Sequence, residues 1–84
     1  MASSKFPSAR SHEAFGRVLR RERTSQSLSQ DELAARAGLH RNYVGLLERG
    51  ERQPTLDTIL SLAAVLGLAG SELVVRVEQA LREE

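Results

Sequence analysis

The sequence predicts an all-α domain, and three features of its 84 residues support this fold class. Aliphatic residues recur at intervals of three and four, which places them on one face of a helix. The chain has only two phenylalanines and one tyrosine, so its core must be aliphatic, which suits packed helices better than strands. Polar capping residues and glycines divide the chain into five predicted helices.

The composition excludes several kinds of site. The chain has no cysteine, which rules out disulfides, thiolate zinc ligands and a cysteine nucleophile. His12 and His40 are too far apart in the sequence to form a recognisable metal motif. Neither a Ser/His/Asp set nor a phosphate-binding loop is evident, and so short a chain offers no deep pocket. An enzyme is therefore the least favoured class.

The charge of the chain is unevenly distributed. Residues 1–53 carry ten Lys and Arg against six Asp and Glu, whereas residues 54–84 carry two against five. A basic half suits a polyanion such as nucleic acid, but an unevenly charged solvated surface would show the same counts. The N-terminus has no apolar signal-peptide core, and no apolar run of 18 residues occurs anywhere, so we expect a cytoplasmic, nucleoid-associated protein.

The first segment is predicted to be a flexible arm followed by helix 1. Residues 1–10 are mostly small and polar and show no periodicity, so the folded domain is expected over residues 11–84. Ser11 is the expected N-cap of helix 1, with Glu13 in the first turn, where the helix dipole favours an acid. The helix is expected to fray over residues 24–27. Its apolar face comprises Phe15, Val18 and Leu19.

Two short helices joined by a glycine turn follow. Ser29 and Glu32 form a predicted capping box, in which each side chain accepts a hydrogen bond from the backbone amide of the other residue. Gly38 supplies the left-handed conformation that ends helix 2. Helix 3 is expected to open at His40 or Arg41. This spacing predicts a helix-turn-helix motif formed by helices 2 and 3.

Two further helices complete the predicted domain. Helix 3 is expected to end at Gly50, and Thr55 is expected to cap helix 4. Helix 4 is apolar almost all round, which predicts that it is buried. It is expected to end at Gly67, and Ser71 is the expected cap of helix 5. The apolar positions of helix 4 are Leu56, Ile59, Leu60, Leu62, Ala63 and Leu66.

Helix 5 carries an apolar stripe on an otherwise charged helix, and the stripe comprises Leu73, Val74, Val77 and Leu81. Part of this stripe must pack on helix 4, and we expect the remainder to form a two-fold interface between two copies of the chain. The alternative is that the whole stripe belongs to the core of one chain. Association would add stability to a chain this short, which buries only about 60% of its unfolded surface.

Helix 3 is expected to turn Val44 and Leu47 inward, so that its opposite side presents Arg41, Asn42, Gly45 and Leu46. A recognition helix enters the major groove by its N-terminal end, where Arg pairs with guanine and Asn with adenine. Taken alone, Arg41 and Asn42 are better explained as ordinary exposed residues at a helix start. Within a helix-turn-helix motif, base contact is favoured.

Other residues near this surface are candidates for contacts with the phosphate backbone. Gln30 opens helix 2, where free N–H groups attract anions, although a solvated side chain is the alternative. Arg49 and Arg52 flank the loop after helix 3 and are expected to hold phosphates, with a minor-groove contact open to one of them. His40 is expected to cap helix 3 and touch the backbone. Gly45 costs about 1 kcal/mol of helix propensity, which a close approach to DNA or simple tolerance would explain.

The segment over residues 28–67 resembles the phage-repressor helix-turn-helix family, also known as lambda/Cro or xenobiotic-response-element proteins. The motifs that carry the resemblance are Ser-Gln-x-Glu-Leu-Ala, Ala-Gly-Leu, Glu-Arg-Gly and Pro-Thr-Leu. The resemblance covers about residues 13–73. Within the family, residues 41–44 and 47–49 look most like the controller proteins of restriction–modification systems.

The resemblance implies a lambda-repressor-like domain and a transcriptional regulator. Such a protein would bind a pseudo-palindromic operator in double-stranded DNA as a homodimer and regulate its own operon. RNA polymerase is an open further partner, and no cofactor, metal, membrane or small-molecule ligand is expected. An antitoxin or a phage-type repressor of the same fold is the alternative. A protein-interaction module that has lost DNA binding is the alternative from another functional class.

The resemblance also assigns roles to individual residues. It makes Arg41 and Asn42 base readers, with Leu46 beside them to meet a thymine methyl group or to pack. It implies a structural ion pair between Arg23 and Glu48 that joins helix 1 to helix 3. Controllers more often carry Thr or Ser where Asn42 stands, so the operator sequence stays open. Contacts to the DNA backbone or to flanking bases would come from Gln30, His40, Tyr43, Arg49 and Arg52.

Overall fold

Five α-helices follow one another along residues 6–83, the part of the chain that the computed structural model describes. No strand occurs within these residues, which confirms the prediction of an all-α fold with five helices. The helices are α1 (Ser8–Ser25), α2 (Gln30–Ala37), α3 (Arg41–Glu48), α4 (Leu56–Val65) and α5 (Gly70–Arg82).

The first helix begins earlier than the predicted cap at Ser11. Its N-cap is Pro7, whose φ of −66° lies at the value to which the proline ring restricts the backbone. That φ is compatible with entry into a helix, so residues 8–10 of the predicted arm are helical. Residues 1–5, the remainder of that arm, lie outside the described residues.

Three predicted helix ends are confirmed. The Ser29 hydroxyl accepts the backbone N–H of Glu32 at 3.0 Å, and the Glu32 carboxylate accepts the N–H of Ser29 at 2.9 Å. These bonds hold the pKa of Glu32 below its ordinary value. Gly38 ends α2 with a φ of +72°, and the Thr55 hydroxyl caps α4 by accepting the N–H of Thr58 at 3.1 Å.

The fifth helix begins two residues before the position that a cap at Ser71 requires. Its N-cap is Ala69, which has no hydroxyl group. The carboxylate of Glu72 instead accepts the backbone N–H of Ala69 at 2.8 Å. The predicted cap at Ser71 is therefore wrong, because one half of a capping box satisfies this helix end without a serine.

The core lies where α1 packs against α3 and α5, and where α4 packs against α2 and α5. Gly16 allows the close approach of α1 to α3. A methyl group on Gly16 would stand 2.5 Å from the carbonyl oxygens of Leu47 and Glu48. The core side chains are Ala14, Phe15, Val18, Leu19, Leu28, Leu33, Ala34, Val44, Leu47, Leu62, Ala63, Leu66, Leu73, Val77 and Ala80.

The prediction that α4 is buried all round is wrong for one side of the helix. Leu56 is 70% exposed and Leu60 is 50% exposed, whereas Leu62, Ala63 and Leu66 are buried. The reason is that α4 packs against two neighbouring helices, α2 and α5, which cover only part of its circumference. The exposed leucines leave an apolar strip on the surface of the chain.

Within residues 6–83, no single helix combines the length and apolarity needed to cross a membrane. The helices α4 and α5 meet that test only as a pair, with a bend of 101° between them.

Candidate nucleic-acid interface

The helices α2 and α3 border a shallow, open depression on the surface of the helix-turn-helix motif. Arg41 and Asn42, in the first turn of α3, are exposed at this depression, and Leu46 is half-buried. The structure therefore brings the three predicted base-reading residues together with two predicted backbone-contacting residues. The depression is lined by Gln30, Arg41, Asn42, Gly45, Leu46 and Arg49.

Two arginines at this depression have acidic partners that the sequence reading missed. Arg41 Nε lies 3.5 Å from a carboxylate oxygen of Asp31, and Arg49 Nε donates to Glu51 at 2.8 Å. All four side chains are more than half exposed. An exposed ion pair contributes at most about 1 kcal/mol, so either guanidinium group can leave its partner for a phosphate or a base.

The side chain of Glu48 is fully buried beneath the depression and accepts hydrogen bonds from three side chains. Arg23 binds it with two nitrogens, Nε at 2.6 Å and Nη2 at 2.9 Å, which is the ion pair implied by the resemblance. Arg20 Nε donates at 3.2 Å and Gln30 Nε2 at 3.0 Å. We refer to Arg20, Arg23, Gln30 and Glu48 as the Glu48 cluster.

The Glu48 cluster is charged at neutral pH. Burial by itself would raise the pKa of Glu48, but the hydrogen bonds from Arg23, Gln30 and Arg20 outweigh burial and hold that pKa below its ordinary value. The same hydrogen bond from Arg23 raises the pKa of its guanidinium group. Arg23 also donates to the carbonyl of Leu28 at 2.8 Å, so the cluster joins α1, the turn before α2, and α3.

The geometry of Gln30 does not fit the phosphate contact that was expected of its amide. The NH₂ group of Gln30 is directed at Glu48, not outward. The N-terminus of α2 is also unfavourable for an anion, because Asp31 and Glu32 occupy its first turn and the Ser29 hydroxyl already accepts the N–H of Glu32. The sequence offered no signal for this contact, since Gln30 and Glu48 lie on different helices.

The remaining candidates occupy different positions around the motif. Tyr43 is half-buried and its hydroxyl lies 3.5 Å from that of Thr58, so this side chain links α3 to α4. His40 is the N-cap of α3, but its side chain makes no capping hydrogen bond. Arg52 is exposed in the loop between α3 and α4 and does not line the depression.

Two residues predicted to lie in a dimer interface belong to the core of the single chain. Leu73 is 0% exposed and Val77 is 8% exposed, because their face of α5 packs against α1 and α4. Leu81 is half-buried against the same core. Of the predicted stripe, Val74 is left at the surface. The exposed large apolar residues of α4 and α5, here named the apolar face, are Leu56, Leu60, Val74 and Val75.

A cavity of about 160 Å³ adjoins the apolar face at Val74. The side chain of His12 lines this cavity, and its Nε2 atom is buried without a hydrogen-bond partner among the described residues. An unpaired polar atom of this kind is unfavourable in an isolated chain. The other lining residues are Ser11, Phe15, Gln53, Pro54, Ile59, Val74 and Val77.

Comparison with known proteins places this geometry among regulators. The family model described as "Helix-turn-helix" matches residues 19–73. The control protein C.SmaI of Serratia marcescens is 40% identical over 72 residues, which cover 86% of this chain and 83% of that protein. The control protein C.BamHI of Bacillus amyloliquefaciens is 39% identical over 61 residues, which cover 71% of this chain and 75% of that protein.

A solved structure gives a further match. The restriction-modification controller protein C.AhdI from Aeromonas hydrophila superposes with a TM-score of 0.72 and 47% sequence identity, covering 74% of this chain and 94% of that one. The clp gene regulator ClgR from Corynebacterium glutamicum superposes with a TM-score of 0.81 over 86% of this chain and 77% of that one. Its identity of 24% shows a shared fold alone.

Proposed function

This chain belongs to the helix-turn-helix family of DNA-binding transcriptional regulators, and we propose that it acts as a restriction–modification controller. As such, it binds a pseudo-palindromic operator as a homodimer and regulates its own operon. The observation that carries the proposal is the position of Arg41 and Asn42. Both are exposed in the first turn of α3, on the rim of the depression between α2 and α3.

The position of these two residues suits contact with base edges. A recognition helix meets the bases with its N-terminal turn, and both side chains lie in that turn. An arginine can make two hydrogen bonds to guanine and an asparagine two to adenine. The Arg41–Asp31 ion pair is exposed and weak, so it can exchange for a guanine contact. These features support direct reading of sequence in the major groove.

The apolar face supports the homodimer. Its four residues lie on two adjacent helices, α4 and α5, and an apolar surface of this kind on a small domain is a typical association site. A second copy seated there would also cover the cavity that His12 lines beside Val74. A two-fold dimer places two recognition helices about 34 Å apart, one turn of DNA, which predicts a pseudo-palindromic operator.

The DNA-binding part of the proposal is tested by footprinting on the DNA upstream of the gene itself. We expect two protected half-sites whose centres are about 10 base pairs apart. Binding should be repeated at rising salt against an unrelated duplex of equal length, because non-specific binding is almost wholly electrostatic. Equal affinity for the two duplexes at every salt concentration would contradict a sequence-specific regulator.

The dimer part is tested by sedimentation velocity on the wild type and Leu60→Asp. We expect the wild type to sediment as a dimer and the variant as a monomer with unchanged helical circular dichroism, because a carboxylate in an apolar interface is strongly unfavourable. Ala35→Asp is the matched control, since Ala35 is exposed on α2, which carries no residue of the apolar face. A Leu60→Asp protein that remains dimeric would place the interface elsewhere.

A further inference from the structure

We propose that Gln30 reads a base and does not hold a phosphate, through a hydrogen bond that its side-chain carbonyl oxygen accepts from the exocyclic amino group of adenine or cytosine. The buried Glu48 acts as the positioning residue that turns this oxygen toward the DNA. The inference rests on the proposed function, because it concerns the same depression between α2 and α3.

The direction of the Gln30 amide follows from the chemistry of its partner. An ionised carboxylate is an acceptor only, so the amide must offer its NH₂ group to Glu48, at 3.0 Å. The reverse orientation would set the amide oxygen against the carboxylate. Glu48 is itself held on its other side by the two nitrogens of Arg23. The cluster therefore gives the amide one stable orientation.

The carbonyl oxygen of Gln30 consequently faces the depression. It lies 3.8 Å from the point where a Cβ atom would stand on Gly45, and both residues line the depression. Arg49 Nη1 lies 3.1 Å from that same point, so a side chain at position 45 would crowd the guanidinium group. Gly45 thus leaves open the space between the Gln30 oxygen and the Arg49 guanidinium group.

An acceptor at this place selects for a donor. A phosphate carries only acceptor oxygens and is repelled by a carbonyl oxygen. In the major groove, the donors are the amino groups of adenine (N6) and cytosine (N4), whereas guanine and thymine present acceptors. Arg41 and Arg49 supply donors at the same depression. The depression therefore combines donors and an acceptor, as discrimination between base pairs requires.

The first experiment compares base preferences selected from a random duplex library by the wild type and by Gln30→Leu. Leucine has a similar size but can neither donate nor accept a hydrogen bond. We expect the variant to lose preference at one base pair per half-site and to keep the others. Gln79→Leu is the matched control, because Gln79 is exposed on α5. The unfolding midpoint of each variant shows whether it is folded.

The second experiment removes the amino group from the DNA. At the base pair identified by selection, purine replaces adenine or 2-pyrimidinone replaces cytosine. We expect wild-type affinity to fall about 3- to 10-fold per half-site, the effect of one hydrogen bond, and that of Gln30→Leu to stay unchanged. An equal loss of affinity by Gln30→Leu for all sequences would assign Gln30 to the backbone and overturn the proposal.

A third measurement tests the amide orientation in the free wild-type protein. We expect proton exchange of the Gln30 side-chain NH₂ group, followed by NMR, to be slower than that of the exposed Gln79. Equal exchange rates would show that Glu48 does not hold the amide and would overturn the proposal. If the wild-type protein selects no DNA sequence, the proposed function is refuted instead. The exchange rate of the Gln30 NH₂ group would still show whether Glu48 holds the amide in one orientation.

Discussion

The α2–α3 pair and the α4–α5 pair differ in how much apolar surface they leave exposed in a single chain. The large apolar side chains that α2–α3 turns inward, Leu33, Val44 and Leu47, are fully buried, and the outer surface of the pair is polar. The α4–α5 pair keeps the four residues of the apolar face at its surface. The first pair thus presents a polar surface to solvent. The second pair keeps an exposed apolar surface, which association with another chain would cover.

The two pairs also depend on different forces. A buried charge network, the Glu48 cluster, holds α3 to α1. In contrast, α4 and α5 add apolar packing to the core, and the ion pair Arg76–Glu22, at 2.6 Å, links α5 to α1 near the surface. Removal of one charge should therefore damage the first pair most, whereas removal of buried apolar volume should damage both pairs.

The largest effect is expected for Arg23→Met, which leaves Glu48 buried without its principal partner. A stranded buried charge costs about 3–5 kcal/mol, so the free energy of unfolding should fall by that amount at pH 7. Chemical denaturation followed by circular dichroism measures it. Arg20→Ala is the matched control, with an expected loss below about 1 kcal/mol, because Arg20 is largely exposed. Similar losses of unfolding free energy for the two variants would show that the buried charge of Glu48 does not cause the loss in Arg23→Met.

Leu62→Ala and Leu60→Ala compare a buried and an exposed leucine on the same helix. Loss of the buried Leu62 side chain should cost about 2–5 kcal/mol in any state of association. In dilute solution, Leu60→Ala should cost less than about 0.5 kcal/mol. Its effect should appear as a weaker dependence of Tm on protein concentration, because it removes apolar surface from the proposed dimer interface. A large loss of unfolding free energy for Leu60→Ala in the monomer would contradict the exposed position of Leu60 in the apolar face.

The function of the α2–α3 surface is tested by Arg41→Ala. We expect binding to the operator to weaken by about 1–3 kcal/mol with relaxed preference at one base pair per half-site, and no change in Tm, because the side chain is exposed. Arg52→Ala, outside the depression, should weaken binding to all sequences and reduce the salt slope by about one. A uniform loss for Arg41→Ala, measured by fluorescence anisotropy, would assign Arg41 to the backbone.

The smallest effect is a change with pH. Because the folded state lowers the pKa of Glu48 below 4.5, its contribution to stability is present above that pH and is lost as the pH falls through the lowered value. In Arg23→Met, burial opposes ionisation of Glu48, and protonation relieves the stranded charge. The difference in unfolding free energy between wild type and variant should therefore narrow from pH 6 to pH 3. If this difference in unfolding free energy stayed constant over that pH range, the stranded charge of Glu48 would not be its cause.

Local structure was predictable where neighbouring residues determine it. The Ser29–Glu32 capping box, the glycine end of α2 and the Thr55 cap are each formed within a few residues, and all three are confirmed. The start of α1 is equally local, but Pro7 was read as part of an arm and not as a helix entry. The error at α5 arose because Glu72 satisfies Ala69 without a capping serine.

The candidate site was predictable only in part. The spacing of the motif placed Arg41, Asn42 and Leu46 on one side of α3, and the structure keeps them there. The orientation of Gln30 was not predictable, since it depends on a carboxylate 18 residues away that approaches only after α2 and α3 pack. Glu51 was not predicted as the partner of Arg49 although the two are only two residues apart, because exposed charges have many competing partners. Asp31 was not predicted as the partner of Arg41 because the two lie on different helices.

Local sequence is enough to predict the number and type of helices, the glycine turn and the residues that α3 presents outward, because backbone conformation and helical periodicity act over a few residues. Which apolar side chains stay exposed, and which charge is buried, follows from the packing of the helices. Those outcomes depend on how deeply each helix is covered by its neighbours. Leucines two residues apart, Leu60 and Leu62, have the same side chain and opposite environments for that reason.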